Sequence, residues 1–114
     1  MLVVFVCLHG AGKSRVAAAL FNAAAPPGWR ATSAGVTPQD APSPHPASLL
    51  AGTAAARWVD DSMPRAMLDT PADLTVAIDC ATPADRRWDL EHEWPDPRVA
   101  DELRTLTAEL ARGL

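Results

Sequence analysis

The residues most suited to chemistry lie near the start of the chain, in the stretch VVFVCLHGAGKSRVAAALFN. Cys7 is followed by five residues, two of them glycines, and then by Lys13 and Ser14. Glycines permit backbone angles that let several N–H groups converge, and a helix starting behind them favours negative charge. We therefore predict that Cys7 is a thiolate nucleophile aimed at a bound oxyanion, with Ser14 donating a hydrogen bond to the thiolate. The predicted oxyanion-binding residues are Leu8, His9, Gly10, Ala11, Gly12, Lys13 and Ser14.

The same stretch ends in Gly-Lys-Ser, as a nucleotide-binding P-loop does, and this gives an alternative interpretation. The nucleotide motif requires a glycine at the position of Cys7. The apolar run before Asp79 imitates a strand whose aspartate holds magnesium, but nothing in the sequence looks like a base-binding motif. The thiol interpretation therefore explains more of the loop than the nucleotide interpretation does.

Alternating strand and helix signals surround this loop. Apolar runs predict strands at residues 2–6 and 73–79, and an alternating stretch predicts a strand at residues 29–34. A last short strand is expected to begin within residues 87–90. Helices are predicted at residues 14–25, with Ser14 as the N-cap, at residues 46–58, and near the C-terminus, where one face carries Val99, Leu103, Leu106 and Leu110. The order predicts one domain, residues 1–114, with a three-layer αβα fold, a four-stranded, mainly parallel sheet and helices on both faces.

Both cysteines follow predicted strands. Cys7 ends the first strand and Cys80 comes directly after a later one. Ligands of parallel sheets bind at the carboxyl ends of the strands. We therefore expect both thiols at the same edge of the sheet, and the loop containing Asp96 to approach that edge as well.

Composition excludes several classes of partner. The net charge of −4 and the pI near 5.2 argue against nucleic acid or an anionic membrane as a partner. No apolar run approaches the roughly 20 residues that span a bilayer, and the N-terminus lacks the basic region of a signal peptide. Two distant cysteines suggest neither a metal site nor a disulfide framework. We expect a cytoplasmic protein.

Several motifs together resemble one family. FVCLHGAGKSRVAAALFN resembles the F-V-C-x-x-N-x-x-R-S loop and helix of low-molecular-weight protein tyrosine phosphatases. His9, Ala11 and Gly12 match the C-x-H-N-A-G-R-S form of the arsenate reductases in that family. The stretch ATSAG at 31–35 and the stretch EWPDP at 93–97 resemble its S-A-G and W-x-x-P-D-P motifs. The chain is thus identified as a divergent member, with the motifs in the family's order.

The resemblance implies a function and a role for each matching residue. Cys7 would attack arsenate, Ser14 would support its thiolate, and Asp96 would be the general acid. Cys80 would be a resolving cysteine that forms a disulfide with Cys7. Alternatively, an external thiol would discharge the intermediate, supplied by mycothiol, glutathione or a thioredoxin- or mycoredoxin-type protein. No bound cofactor is implied, and the role would be arsenic resistance.

Three departures from the family leave other functions open. Gly10 replaces the asparagine that braces the loop, and Lys13 replaces the arginine that grips two oxyanion oxygens with a planar fork. The chain has no tyrosine, which weakens the case for a phosphotyrosine substrate. The alternatives are a phosphatase working through a phosphocysteine and a non-catalytic oxyanion-binding or regulatory protein. Arg15 is expected to point away from the oxyanion, and His45 and His92 to lie on the surface.

Overall fold

The chain alternates strands and helices in the computed structural model, which describes residues 1–114. The strands are β1 (Leu2–Cys7), β2 (Arg30–Gly35), β3 (Leu74–Ile78) and β4 (Arg86–Trp88). The helices are α1 (Lys13–Ala23), α2 (His45–Leu50) and α3 (Pro97–Arg112), with 3₁₀ turns at Ala56–Trp58 and Met67–Asp69. None of the helices has both the length and the apolar character needed to cross a membrane.

The four strands form one sheet in the order β2-β1-β3-β4, and every neighbouring pair is parallel. The β-branched run of β1 occupies the centre, where a strand is buried on both faces. Cys7 at the end of β1 pairs with Gly35 of β2, and Val6 pairs with Ala77 of β3. The carboxyl ends of β1 and β3 therefore lie side by side, as predicted from the two strand-end cysteines.

Alternate residues of β1 point to two different cores. Val3 and Phe5 belong to a cluster that includes buried residues of α1, α2 and α3. Val4 and Val6 belong to a smaller cluster, against which Met67 of the second 3₁₀ turn packs. The predicted three-layer α/β fold is confirmed. The helices α1, α2 and α3 all contribute to the cluster on one face, however, so the second face is covered by a 3₁₀ turn and not by the α-helix that was expected there.

Two local predictions are wrong. The helix predicted at residues 46–58 ends at Leu50, because Gly52 adopts a left-handed backbone (φ +77) and the chain turns before the first 3₁₀ turn. Ser14 does not cap α1, whose N-cap is Gly12 without a side-chain hydrogen bond. Ser14 lies two residues after this N-cap, within the first turn of α1, and its hydroxyl is therefore free to contact Cys7.

Candidate active site

The loop between β1 and α1 brings a thiol and a hydroxyl together in a buried position. Cys7 is 6% exposed and Ser14 is fully buried. The Cys7 thiol donates to Ser14 Oγ over 3.1 Å. The serine oxygen carries a proton of its own, so it can donate to the sulfur once the thiol is ionised. The predicted nucleophile and its predicted hydrogen-bond partner are therefore in contact.

The carbonyl groups and the N–H groups of the loop backbone differ in their hydrogen bonding. Its carbonyl groups are turned towards the segment after β2, where Val36, Thr37 and Gln39 donate to the carbonyls of Cys7, Leu8 and His9. In contrast, none of the backbone N–H groups from Leu8 to Ser14 donates to another protein group. Free N–H groups in a tight loop at a helix N-terminus form an anion-binding arrangement.

Gly10 fits the loop tightly against the end of β2. It has a left-handed backbone (φ +66), and a Cβ at this position would lie 2.6 Å from the backbone nitrogen of Gly35. A Cβ at Gly35 would in turn lie 2.7 Å from the nitrogen of Gly10. The family's asparagine is thus replaced by a direct contact between two glycine backbones, which is a closer approach than side chains allow.

Arg15 braces the loop from the protein interior. It is 1% exposed, its Nε donates to the Gly10 carbonyl over 3.1 Å, and its Nη1 donates to the Asp60 carbonyl. Burial lowers the pKa of this guanidinium, and no carboxylate contacts it directly. As expected, Arg15 points away from the oxyanion side of the loop. The contact with Asp60 was not predicted, because only the fold brings Asp60 to Arg15.

Lys13 occupies the position of the family's arginine and forms an ion pair. Its Nζ lies 2.7 Å from Asp79 Oδ2, and the two side chains are 21% and 23% exposed. Asp79 follows β3, so the pair joins the loop to the neighbouring strand end. An aspartate at a strand end is expected to accept hydrogen bonds, but the sequence gives no sign of this particular partner.

An open cavity of about 420 Å³ lies over the loop. Cys7, Lys13 and Asp79 line it, together with the loop residues Leu8, His9 and Gly12. Gly10 and Ala11, also in the loop, are buried and do not line the cavity, whereas Leu8 and His9 are exposed. The outer wall consists of Gln39, Ser43, His45 and Trp94.

His45 is exposed, as expected, and it also lines the outer wall of the cavity. Its ring packs edge-on against Trp94, with ring centroids 5.9 Å apart. The Trp94 ring also lies against Gly12, where a Cβ would come within 2.9 Å of it. His45 begins α2, and its contact with Trp94 brings it to the cavity that Cys7 also lines.

A carboxylate of α3 fixes the loop that carries Trp94. Glu102 accepts from the Glu91 N–H over 2.6 Å, and from the His92 N–H and Nδ1 over 3.2 and 3.0 Å. Burial alone would raise the pKa of Glu102, but these hydrogen bonds outweigh it and lower the pKa. Glu102 therefore anchors the segment just before Trp94, which lines the cavity.

Cys80 lies at the predicted edge of the sheet but outside the cavity. Its Sγ points to the Val6 carbonyl at 3.5 Å, and the side chain packs against the smaller core. Cys7 contacts α1, so the two thiols lie on opposite faces of the sheet. Burial raises the pKa of the Cys80 thiol, and negative charge on Cys7 acts in the same direction. The resolving role of Cys80 stays a prediction.

Asp96 is engaged at the start of α3 and does not line the cavity. Its carboxylate accepts from the Arg98 backbone N–H over 2.9 Å and from the Arg98 guanidinium over 2.7 Å. The hydrogen bonds from Arg98 lower the pKa of Asp96 to about 2. In this conformation the carboxylate is therefore ionised at neutral pH, and its predicted role as a general acid stays a prediction.

No family model matches the chain, and no curated sequence matches it significantly. Solved structures do match it. An arsenate reductase from Archaeoglobus fulgidus is 29% identical with a TM-score of 0.76, over 96% of this chain and 98% of that one. A low-molecular-weight protein tyrosine phosphatase from T. tengcongensis is 23% identical with a TM-score of 0.72, over 100% and 99%. The chain has the fold of low-molecular-weight phosphatases and arsenate reductases.

A further neighbour is a thioredoxin-dependent arsenate reductase from Corynebacterium glutamicum, 22% identical with a TM-score of 0.75. The alignment covers 98% of this chain but 60% of that protein. The family resemblance drawn from the sequence motifs is thus confirmed by the structural neighbours. The fold supports a thiol-based enzyme acting on oxyanions, and both activities occur among these neighbours.

Proposed function

We propose that this protein is an arsenate reductase in which Cys7 attacks arsenate held by the loop from Leu8 to Ser14. The observation that carries the proposal is the contact of Cys7 Sγ with Ser14 Oγ, 3.1 Å apart, beneath a loop whose backbone N–H groups have no protein partner. A thiolate formed there faces an anion bound to those N–H groups. This is the geometry of in-line attack on a tetrahedral centre.

The first step joins sulfur to arsenic. The Cys7 thiolate forms an S–As bond, one As–O bond breaks, and the departing hydroxide takes a proton to leave as water. As–O bonds exchange more readily than P–O bonds, so this step depends less on a general acid. Asp96 is bound to Arg98 outside the cavity, and that arrangement favours arsenate over a phosphate ester, whose alkoxide leaving group needs a proton.

The second step reduces arsenic. A second thiolate attacks the Cys7 sulfur, the S–As bond breaks, and its electron pair passes to arsenic, which leaves as arsenite. The product is a disulfide between Cys7 and the attacking thiol, so two thiols supply the two electrons. Because Cys80 lies on the opposite face of the sheet, we propose that an external thiol such as mycothiol or glutathione enters the open cavity. A thiol exchange with a second external thiol or a thioredoxin- or mycoredoxin-type protein then restores Cys7.

The size of the cavity supports phosphatase activity as the second candidate. A volume of about 420 Å³ exceeds that of an inorganic oxyanion and lies in the range of small-molecule sites. The Trp94 and His45 rings at its mouth offer an apolar and aromatic surface to the organic part of an ester. In that reaction Cys7 would form a phosphocysteine that water hydrolyses.

The decisive experiment measures both activities in one preparation. Arsenite formed from arsenate and excess thiol is quantified by chromatography with arsenic detection, and p-nitrophenyl phosphate hydrolysis is followed in parallel. We expect arsenite formation that is lost in Cys7→Ser and retained in Cys80→Ser. Phosphatase turnover that requires Cys7, without arsenite, would establish the second candidate instead. Alkylation of Cys7 that arsenate does not slow, with neither activity, would identify a protein whose loop no longer works as an enzyme.

A further inference from the structure

The Lys13–Asp79 ion pair stands at the entrance to the oxyanion loop. Both residues line the cavity that also contains Cys7, and their charged atoms are 2.7 Å apart. A binding site for an anion would be expected to leave its lysine free. Here the lysine that lines the cavity is already paired with a carboxylate.

Asp79 is the fixed member of the pair. It has a left-handed backbone (φ +49), which is uncommon for a residue with a side chain. Its N–H donates to the Trp88 carbonyl over 3.0 Å, and its Oδ1 accepts from the Leu90 N–H over 2.8 Å. The strand end therefore holds one carboxylate oxygen, and the other faces Lys13.

Lys13 is the movable member. It is the first residue of α1, and Nζ has no hydrogen bond other than the one to Asp79. A lysine carries its charge on a flexible stem with rotatable donors, whereas an arginine presents a planar fork. Lys13 can therefore leave Asp79 for an oxyanion, or divide its donors between the two acceptors.

We infer that Asp79 limits the oxyanion affinity of the loop by competing for Lys13. This inference rests on the proposed oxyanion site. An entering oxyanion must displace a carboxylate that the strand end holds in place, and that carboxylate also repels it. Lys13, at the position of the family's arginine, is thus paired with Asp79, and the oxyanion affinity of the loop depends on both side chains. Asp79 is a positioning residue, since it acts through Lys13.

The test measures binding of inorganic phosphate by the slowing of Cys7 alkylation, read by mass spectrometry. Asp79→Asn keeps the shape, the left-handed backbone and an acceptor for Leu90, but removes the charge. We expect it to tighten phosphate binding by roughly three- to tenfold, the range of a part-exposed ion pair together with the loss of direct repulsion. Asp89→Asn is the matched control, because Asp89 lies near Asp79 at the same sheet edge but outside the cavity.

A double-mutant cycle separates competition from general charge effects. With Lys13→Met as the background, Asp79→Asn is expected to have a smaller effect, since there is no lysine to release. Thermal melting of each variant serves as the control for folding. A merely structural role for Asp79 would give weaker binding in Asp79→Asn, not tighter binding.

Each outcome decides the inference. Tighter binding in Asp79→Asn that depends on Lys13 supports it, as does binding that appears only in that variant. Unchanged or weaker binding, when the wild type does bind phosphate, overturns the role of Asp79 and leaves the proposed function standing. Tightening of the same size in the Lys13→Met background likewise overturns competition for Lys13. No binding in either protein overturns both.

Discussion

Replacing Gly10 with asparagine, the residue of the family loop, is expected to destabilise this protein. Asparagine tolerates the left-handed backbone better than most residues, so the strain of φ +66 contributes about 1 kcal/mol. The new Cβ would also lie 2.6 Å from the Gly35 nitrogen and 2.9 Å from the Ala34 carbonyl carbon. Overpacking against a backbone that cannot rotate away adds about 1–3 kcal/mol. The expected loss in the free energy of unfolding is therefore roughly 2–4 kcal/mol.

The assay is urea denaturation, with Gly52→Asn as the matched control. Gly52 has a similar backbone (φ +77), but nothing lies within 4 Å of the position its Cβ would take. The control should therefore show the conformational cost alone, about 1 kcal/mol. Equal losses in the two variants would refute the reasoning, because the contact between Gly10 and Gly35 would then have no energetic weight. A stabilised Gly10→Asn protein would show that the loop prefers the family's brace.

Two further predictions concern Arg15 and Asp96. Arg15→Met should lower the free energy of unfolding by about 1–3 kcal/mol in urea denaturation, because the carbonyl groups of Gly10 and Asp60 lose a buried donor. Arg15→Lys should recover part of this loss. An Arg15→Met protein as stable as the wild type would mean that the cost of burying the guanidinium offsets its two hydrogen bonds. The depressed pKa of Asp96, about 2 against an ordinary 3.8, stabilises the fold above pH 4 and loses that effect as the pH falls towards 2. Arg98→Met should return the pKa towards 3.8 in an NMR titration, and an unmoved pKa would contradict Arg98 as the cause.

The sequence by itself determined the order of elements and the chemistry of the loop. The apolar run of β1, the alanine-rich α1 and the strand before Asp79 gave signals strong enough to predict a parallel sheet. The rule that parallel strands present their carboxyl ends together then located Cys7 and Cys80 at one edge. The pairing of Cys7 with Ser14 followed from local spacing alone, because the two residues are seven positions apart, at a strand end and in the first turn of the next helix.

Only the tertiary structure decided which distant residues complete the site. The contacts of Lys13 with Asp79 and of Arg15 with Asp60 join residues 66 and 45 positions apart, and no local pattern encodes such pairs. His45 lines the cavity because the fold brings the start of α2 against Trp94, a contact that no spacing in the sequence indicates.

The sequence also did not predict which face of the sheet each cysteine lies on. Both cysteines end strands, but the direction of a side chain at a strand end depends on the pleat and on the turn that follows. Cys7 continues the alternation of Val3 and Phe5 towards α1, whereas Cys80, after the left-handed Asp79, packs with Val6 on the other side. Sequence placed the two thiols at one edge of the sheet. The backbone conformation at a single residue separated them.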